Sequence, residues 1–322
     1  MKPSTLLVLS KPNARHLETL ARLPDSARIV VADNAAMFAE AAPEAQVLLN
    51  GMMPLPLFRE VFNMSPRLEW VHSLSAGLEN SLFSEIVASP IPMTNSRGVF
   101  ARSLAEFVIG GVMHFEKFIA RMQRQKAEKR WESFEVEELH GKTMGIIGYG
   151  KIGQLTAQRA KAFGIKVIAL RRRPELSQGD SNVDTTYTPD RIRDLAAESD
   201  YVVCSAPITP DTKGLISREV IAAMKPSALF ANVGRGLVVD EAALVEALAA
   251  KRIRGAILDV FTTEPLPAES PLWELDNVLL SPHTADRTAT WLNDAMNFFV
   301  DNFDRFAAGK PLENVVDKHA GY

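Results

Sequence analysis

Three charged side chains stand behind strand-like runs in the last third of the chain. They are Arg235 in Asn232-Val233-Gly234-Arg235-Gly236, Glu264 in Thr262-Thr263-Glu264-Pro265, and His283 in Ser281-Pro282-His283-Thr284. A guanidinium grips a carboxylate through paired hydrogen bonds and offers fixed positive charge to a developing alkoxide. An imidazolium donates a proton to that alkoxide and takes it back in the reverse direction. A carboxylate on the other ring nitrogen orients the imidazole and faces its positive charge. Taken singly, each has a plain structural use, as a helix cap, a solvated loop residue or a core histidine. Placed after successive strands of one sheet, they converge on the crevice where such sheets bind ligands.

The sheet announces itself earlier, in Gly145-Ile146-Ile147-Gly148-Tyr149-Gly150-Lys151-Ile152-Gly153. Gly148 permits the tight turn, Gly150 lets backbone approach a pyrophosphate, and Gly153 lets helix and strand pack closely, with the phosphates at the helix N-terminus. The strand before it, the helix after it and the strand at 167–170 supply the context the motif requires. At the end of that next strand the chain reads Arg171-Arg172-Arg173-Pro174, where an NAD site would place an acid on the ribose 2′-hydroxyl. Guanidinium groups pair with a 2′-phosphate instead, so NADP(H) is preferred and NAD(H) possible.

These residues need a scaffold, and 322 residues at about 150 per domain give a prior of two. Apolar residues make up 47% and charged residues 23%, an ordinary globular balance that excludes a largely disordered chain. Lys and Arg number 36 against 39 Asp and Glu, a net charge of −3, so no global basic field holds nucleic acid or an anionic membrane. The single cysteine, Cys204, excludes an intramolecular disulfide and cysteine-built zinc frameworks, and no metal is expected. Met1 to Ser10 carries one positive charge and an apolar stretch too short for a signal-peptide core. The longest apolar stretch, 107–115, is broken by Gly110, Gly111 and His114, so no membrane span is expected and the location reads as cytoplasmic.

Apolar runs at 6–9, 29–31 and 47–50, separated by Ala-rich helical stretches, suggest a small α/β unit up to about residue 100. A long helical stretch at 104–126 turns basic and is followed by an acidic run at 135–138, both read as solvated faces. Strand-length runs then recur at 143–147, 166–170, 201–205, 229–233, 256–260 and 278–281, as a parallel sheet covered by helices on both faces demands. The last 37 residues are amphipathic, with Trp291, Met296, Phe298, Phe299 and Phe306 on one helical face that needs a packing partner.

Together these segments, with Ala206-Pro207-Ile208-Thr209-Pro210-Asp211-Thr212-Lys213-Gly214 and Leu237-Val238-Val239-Asp240, resemble the D-isomer-specific 2-hydroxyacid dehydrogenases across nearly the whole chain. The resemblance implies an α/β architecture of two Rossmann-like doubly wound parallel-sheet domains with a cleft between them. It implies a substrate domain of residues 1–101 plus 286–322 and a dinucleotide-binding domain of 102–285. It implies Arg235, Glu264 and His283 as the catalytic trio, in a reductase of a 2-oxoacid such as glyoxylate, hydroxypyruvate or pyruvate. It places Gly148, Gly150, Lys151, Ile152 and Gly153 under the pyrophosphate, Ala206 and Pro207 along the adenosine, and Val233, Gly234 and Asp259 at the nicotinamide, with Arg171 and Arg172 on the 2′-phosphate side. Ser75, Ala76 and Gly77 look like the family's small-residue loop, whose backbone N–H groups hold the substrate carboxylate beside Arg235. A homodimer is also implied.

The chain departs from the family's pattern at Asp286, where Gly or Ser is usual, and around Gly77, where glycines are fewer. Both bear on substrate identity rather than reaction class. Glu264 argues against a formate-oxidising relative, whose branch carries an amide there. A dinucleotide-sensing, corepressor-like regulator on the same fold is the alternative, and turnover discriminates it.

Overall fold

The computed structural model describes residues 4–321, and the chain forms two compact units, one of residues 4–100 with 287–321 and one of Ala101–Asp286. Met1–Pro3, the head of the stretch weighed as a leader, lie outside the described residues.

The first unit is built on a five-stranded parallel sheet of β1 (Ser4–Leu9), β2 (Ala27–Ala32), β3 (Val47–Asn50), β4 (Trp70–Ser73) and β5 (Met93–Asn95), in the order β2-β1-β3-β4-β5. β1 and β3 read as continuous apolar runs because both faces are buried. Leu7, Leu9 and Leu48 meet Phe38, Phe58 and Phe83 on one face, while Leu6, Val8, Val47 and Leu49 meet the tail helix Trp291–Ala307 on the other. That answers the tail's need for a partner: Phe299 stacks on Trp70 with ring centroids 5.2 Å apart.

The Ala-rich stretches between the first strands form 3-10 turns at Arg15–Arg22, Ala35–Phe38 and Ala42–Glu44 instead of helices. Asn34 caps the second turn by accepting from the Met37 N–H, and Pro43 removes the donor that would carry a helix on into the third. β4 escapes an apolar-run reading because it carries buried His72 and Ser73. Their polar atoms are spent inside the unit: Thr94 Oγ1 lies 2.6 Å from His72 Nδ1 and accepts from Trp70 Nε1 at 2.8 Å. Burial pushes the His72 imidazole down to about 3, so it stays neutral near pH 7.

The second unit carries a seven-stranded parallel sheet of β6 (Thr143–Ile147), β7 (Lys166–Leu170), β8 (Thr185–Tyr187), β9 (Tyr201–Cys204), β10 (Leu229–Asn232), β11 (Gly255–Leu258) and β12 (Val278–Leu280). The order is β12-β11-β10-β9-β6-β7-β8, so the chain reverses direction across the sheet between β6 and β9. That is the switch point at which such sheets bind ligands. Helices cover both faces, and each face has its own core. Cys204 ends β9 in one of them, fully buried, and burial pushes its thiol up to about 11.

The expected long helix at 104–126 is two helices, Ala101–Glu116 and Ile119–Ala127, broken at Phe118 with φ +50°. The break follows from Glu116, which is buried and takes Arg254 Nη1 at 2.8 Å and the Tyr201 hydroxyl at 3.0 Å, while its carbonyl accepts from the Glu137 N–H. Tertiary pairing fixes the turn, so neither glycine nor proline is needed to mark it. Beyond the second helix, residues 130–139 run without regular structure and leave the Trp131 side chain fully exposed. Among the described residues no helix is long and apolar enough to cross a membrane, and no cluster of His, Cys, Asp or Glu could hold a metal ion.

Candidate active site

The carboxyl ends of β10, β11 and β12 carry Arg235, Glu264 and His283, and the backbone links those ends in register. Asp259 N–H donates to the Asn232 carbonyl at 3.1 Å, and His283 N–H donates to the Asp259 carbonyl at 3.0 Å. Buried Asn232 shapes the first turn, accepting from the Gly234 N–H and donating to the Arg235 carbonyl. The Arg235 side chain is half-buried and donates from Nη1 to the Gly234 carbonyl at 2.7 Å.

Glu264 divides its two oxygens. Oε1 accepts from the Phe261 N–H at 2.9 Å, which pins the carboxylate to its own loop, and Oε2 lies 2.6 Å from His283 Nδ1. The distance suits a charge-assisted bond. With Nδ1 so engaged, Nε2 is the ring nitrogen left to exchange a proton with a ligand, and the pair is only partly screened, with side-chain exposures of 40% and 34%.

The His283 backbone has φ +52°, a left-handed conformation that costs a non-glycine residue about 1 kcal/mol or more. It is held by Asp259, whose carboxylate Oδ1 accepts from Ser281 Oγ at 2.7 Å and from the Thr284 and Ala285 N–H groups at 3.0 and 3.1 Å. Asp259 is buried. The resemblance puts it at the nicotinamide; in the structure its carboxylate braces the histidine loop. Ser281, which completes the brace, was not singled out by the sequence, because a serine before proline looks like any turn residue.

On the other half of the sheet the glycine turn fits a dinucleotide. Gly148 has φ +90°, and a Cβ there would lie 2.6 Å from the Ala206 nitrogen. A Cβ on Gly150 would meet nothing within 4 Å, so the backbone is open on that side. Gly150 caps the helix Lys151–Ala162 with no side-chain hydrogen bond, leaving the helix N-terminus to an anion. Lys151 is exposed there, while Ile152 is half-buried and Gly153 buried. Ala206 is buried where the loops after β6, β9 and β10 meet, since a Cβ on Gly234 would lie 2.5 Å from its carbonyl oxygen. Val233 is buried beside it and Pro207 exposed, its carbonyl accepting from Thr212 Oγ1.

Arg171 and Arg172 leave β7 beside that turn. Arg171 is half-buried, donates from Nη1 to Ser177 Oγ at 2.9 Å, and its guanidinium carbon lies 5.9 Å from the Tyr149 ring centre. Arg172 is exposed and pairs with Asp211 at 3.2 Å. Tyr149 and Asp180 near Arg171 went unread in the sequence, since a hydrophobic residue between fingerprint glycines and an acid 31 positions later carry no common signal.

Ser75, Ala76 and Gly77 follow β4 in the first unit, all half-buried. The Ala76 carbonyl accepts from Asn95 Nδ2 at 2.7 Å, and the Ser75 carbonyl from the Ser96 N–H at 3.3 Å. Asp286, the departure from the usual pattern, is half-buried at the end of the second unit.

A parallel sheet with an uncapped glycine-turned helix at its switch point and an acid-held histidine at its carboxyl edge defines a dinucleotide-dependent oxidoreductase. Comparison with known proteins narrows the class. The profile of the D-isomer specific 2-hydroxyacid dehydrogenase NAD binding domain matches residues 109–285. A glyoxylate reductase of Korarchaeum cryptofilum is 30% identical over 297 residues, covering 87% of this chain and 88% of its own. Among solved structures, a D-isomer specific 2-hydroxyacid dehydrogenase from Xanthobacter autotrophicus in complex with NADPH is 30% identical, with a TM-score of 0.84 over 99% of this chain and 100% of that one. An NADPH-dependent glyoxylate/hydroxypyruvate reductase from Sinorhizobium meliloti is 26% identical, with a TM-score of 0.81 over 99% and 100%. The chain belongs to the D-isomer-specific 2-hydroxyacid dehydrogenases.

Proposed function

We propose that the protein is an NADP(H)-preferring 2-oxoacid reductase acting on a small substrate such as glyoxylate, hydroxypyruvate or pyruvate. The observation that carries this reading is the 2.6 Å contact of Glu264 with His283 Nδ1, which leaves Nε2 as the acid. Arg235 grips the substrate carboxylate and polarises its ketone, and His283 Nε2 protonates the alkoxide as it forms. Glu264 keeps the ring oriented through the cycle. The nicotinamide, when bound, supplies the hydride. Asp259 contributes beside the carboxamide as well as bracing the histidine loop.

The unit of residues 4–100 with 287–321 is the substrate domain in this reading, with Ser75–Gly77 offering backbone N–H groups to the substrate carboxylate, and the other unit holds the dinucleotide. Gly148 to Gly153 cradle the pyrophosphate, Ala206 and Pro207 flank the adenosine, and Val233 and Gly234 lie beside the nicotinamide. The arginines after β7 support the preference for NADP(H), as do the NADPH complexes of similar proteins. The test is oxidation of NADPH and NADH by the purified protein against 2-oxoacids from glyoxylate to phenylpyruvate. Turnover with NADPH favoured is expected; NADPH binding without turnover of any of them refutes the reductase reading.

The same reading includes a homodimer in the cytoplasm. A dimer is supported by the segment after Glu116, where Met122 (42%), Trp131 (100%) and Val136 (46%) are exposed on a segment anchored by buried Glu116 through its pair with half-buried Arg254. Sedimentation should give a dimer that Trp131→Glu weakens; a wild-type monomer refutes this part. A lone, buried cysteine fits a reducing compartment.

A further inference from the structure

Between the two turn glycines of the fingerprint stands Tyr149, a phenol whose ring is buried to 3% exposure. Its hydroxyl donates to Asp180 Oδ2 at 2.8 Å. The other oxygen of that carboxylate accepts from the Asn182 N–H at 2.9 Å and from Asn182 Nδ2 at 3.0 Å. Asp180 is further tied to the short turn Pro174–Ser177, because its N–H donates to the Ser177 carbonyl at 3.0 Å. Ser177 Oγ in turn receives Arg171 Nη1. A closed ring of contacts therefore runs from the glycine turn through Tyr149, Asp180 and Ser177 to Arg171, whose guanidinium reaches back over the Tyr149 ring.

The ring places an acid beside an arginine that is to receive a phosphate. A carboxylate turned toward the guanidinium in that position would pair with it in place of the phosphate. Burial alone would raise the Asp180 carboxyl, yet the bonds from Asn182 and Tyr149 and the nearby Arg171 charge hold it below the usual carboxylate range. It is thus ionised near pH 7. Among the described residues no ion pair joins it to Arg171: Asn182 on Oδ1 and the Tyr149 hydroxyl on Oδ2 fix the direction in which the carboxylate faces.

We infer that Tyr149 is a positioning residue for cofactor selectivity: by anchoring the Asp180 carboxylate it leaves the Arg171 guanidinium available to the 2′-phosphate of NADP(H). The inference deepens the NADP(H) reading and rests on it. Removing only the phenol oxygen leaves the buried ring in place and frees Asp180 Oδ2 to take Arg171. Loss of one charge-assisted phosphate contact corresponds to about a tenfold change in affinity.

The experiment is calorimetric binding to the purified protein of adenosine 2′,5′-bisphosphate and of adenosine 5′-monophosphate, with no nicotinamide and no turnover. Wild type should prefer the bisphosphate. Tyr149→Phe should weaken the bisphosphate about tenfold and leave the monophosphate as in wild type, and Tyr149→Phe with Asp180→Asn should recover most of the loss. A merely structural latch predicts the opposite of the last result, since removing Asp180 would loosen the turn further. Wild-type preference that persists in Tyr149→Phe, equal weakening of both ligands, or no recovery in the double variant overturns the inference alone. Equal binding of both ligands by wild type overturns the NADP(H) reading and the inference with it.

Discussion

Replacing Asp259 with asparagine tests the brace on which the histidine loop depends. Oδ1 takes three hydrogen bonds, from Ser281, Thr284 and Ala285, in a site that is 1% exposed. A bond to an ionised acceptor exceeds one to a neutral acceptor by about 1 kcal/mol, so the charge is worth roughly 3 kcal/mol over the three. The variant no longer buries a charge, which returns part of that sum and leaves a net loss of about 2 kcal/mol. For a domain of this size that lowers the unfolding midpoint by about 4–8 °C.

The chemical consequence is larger in relative terms. His283 sits at φ +52° and its ring reaches Glu264 only if the loop stays in place. A shift of about 1 Å in a proton donor costs up to about a hundredfold in rate, so kcat should fall about ten- to a hundredfold in Asp259→Asn. Thermal melts and steady-state kinetics with NADPH and glyoxylate read both effects. A lowered midpoint with wild-type kcat would refute the positional argument, and a rise confined to the KM for NADPH would assign Asp259 to the cofactor alone.

Glu264→Gln keeps an acceptor for His283 Nδ1 but removes the charge facing the ring, so kcat should drop by about one to two orders of magnitude with NADPH affinity retained; unchanged kcat contradicts the role given to Glu264. Arg171→Asp with Arg172→Ser should reverse the preference between NADPH and NADH, read as the ratio of their kcat/KM values; an unchanged ratio removes the phosphate argument. His72 contributes acid sensitivity to the first unit. Its folded value of about 3 lies below the ordinary 6.5, so the unfolded chain binds the extra proton. The stability it supports is whole above pH 6.5 and declines by about 1.4 kcal/mol per unit as the pH falls towards that folded value. Denaturant titrations at pH 7 and pH 5 should show a smaller decline in His72→Gln than in wild type, and equal declines would refute the assignment.

Much of the dinucleotide-binding unit was legible because its strands are buried on both faces and so read as apolar runs. β6 and β7 stand at the residues the runs marked, and β9 to β12 within a residue or two. β8 was missed, since Thr185, Thr186 and Tyr187 are half-buried at a sheet edge and carry no such run. The first unit hid β4 behind the buried polar pair His72 and Ser73, and its Ala-rich connections carry helix propensity that the Asn34 cap and Pro43 override locally. The helix break at Phe118 was invisible for a different reason, its cause being the pairing of Glu116 with Arg254, 138 residues away.

In the candidate site the charged residues stood out by type and by their place after successive strands. Their supports did not: Asn232 and Ser281 are small polar residues at strand ends, and Tyr149 and Asp180 meet only when the chain folds. Chemistry was thus more legible than the interactions that aim it, because an arginine or histidine is conspicuous in any segment whereas a brace is defined by its partner.

The most direct test of the account is His283→Ala, assayed for NADPH-dependent reduction of glyoxylate and hydroxypyruvate beside wild type, with NADPH binding measured on both. The account predicts wild-type turnover, a loss of at least about a hundredfold in kcat for the variant, and NADPH bound equally by the two proteins. Turnover by His283→Ala at the wild-type rate would contradict it.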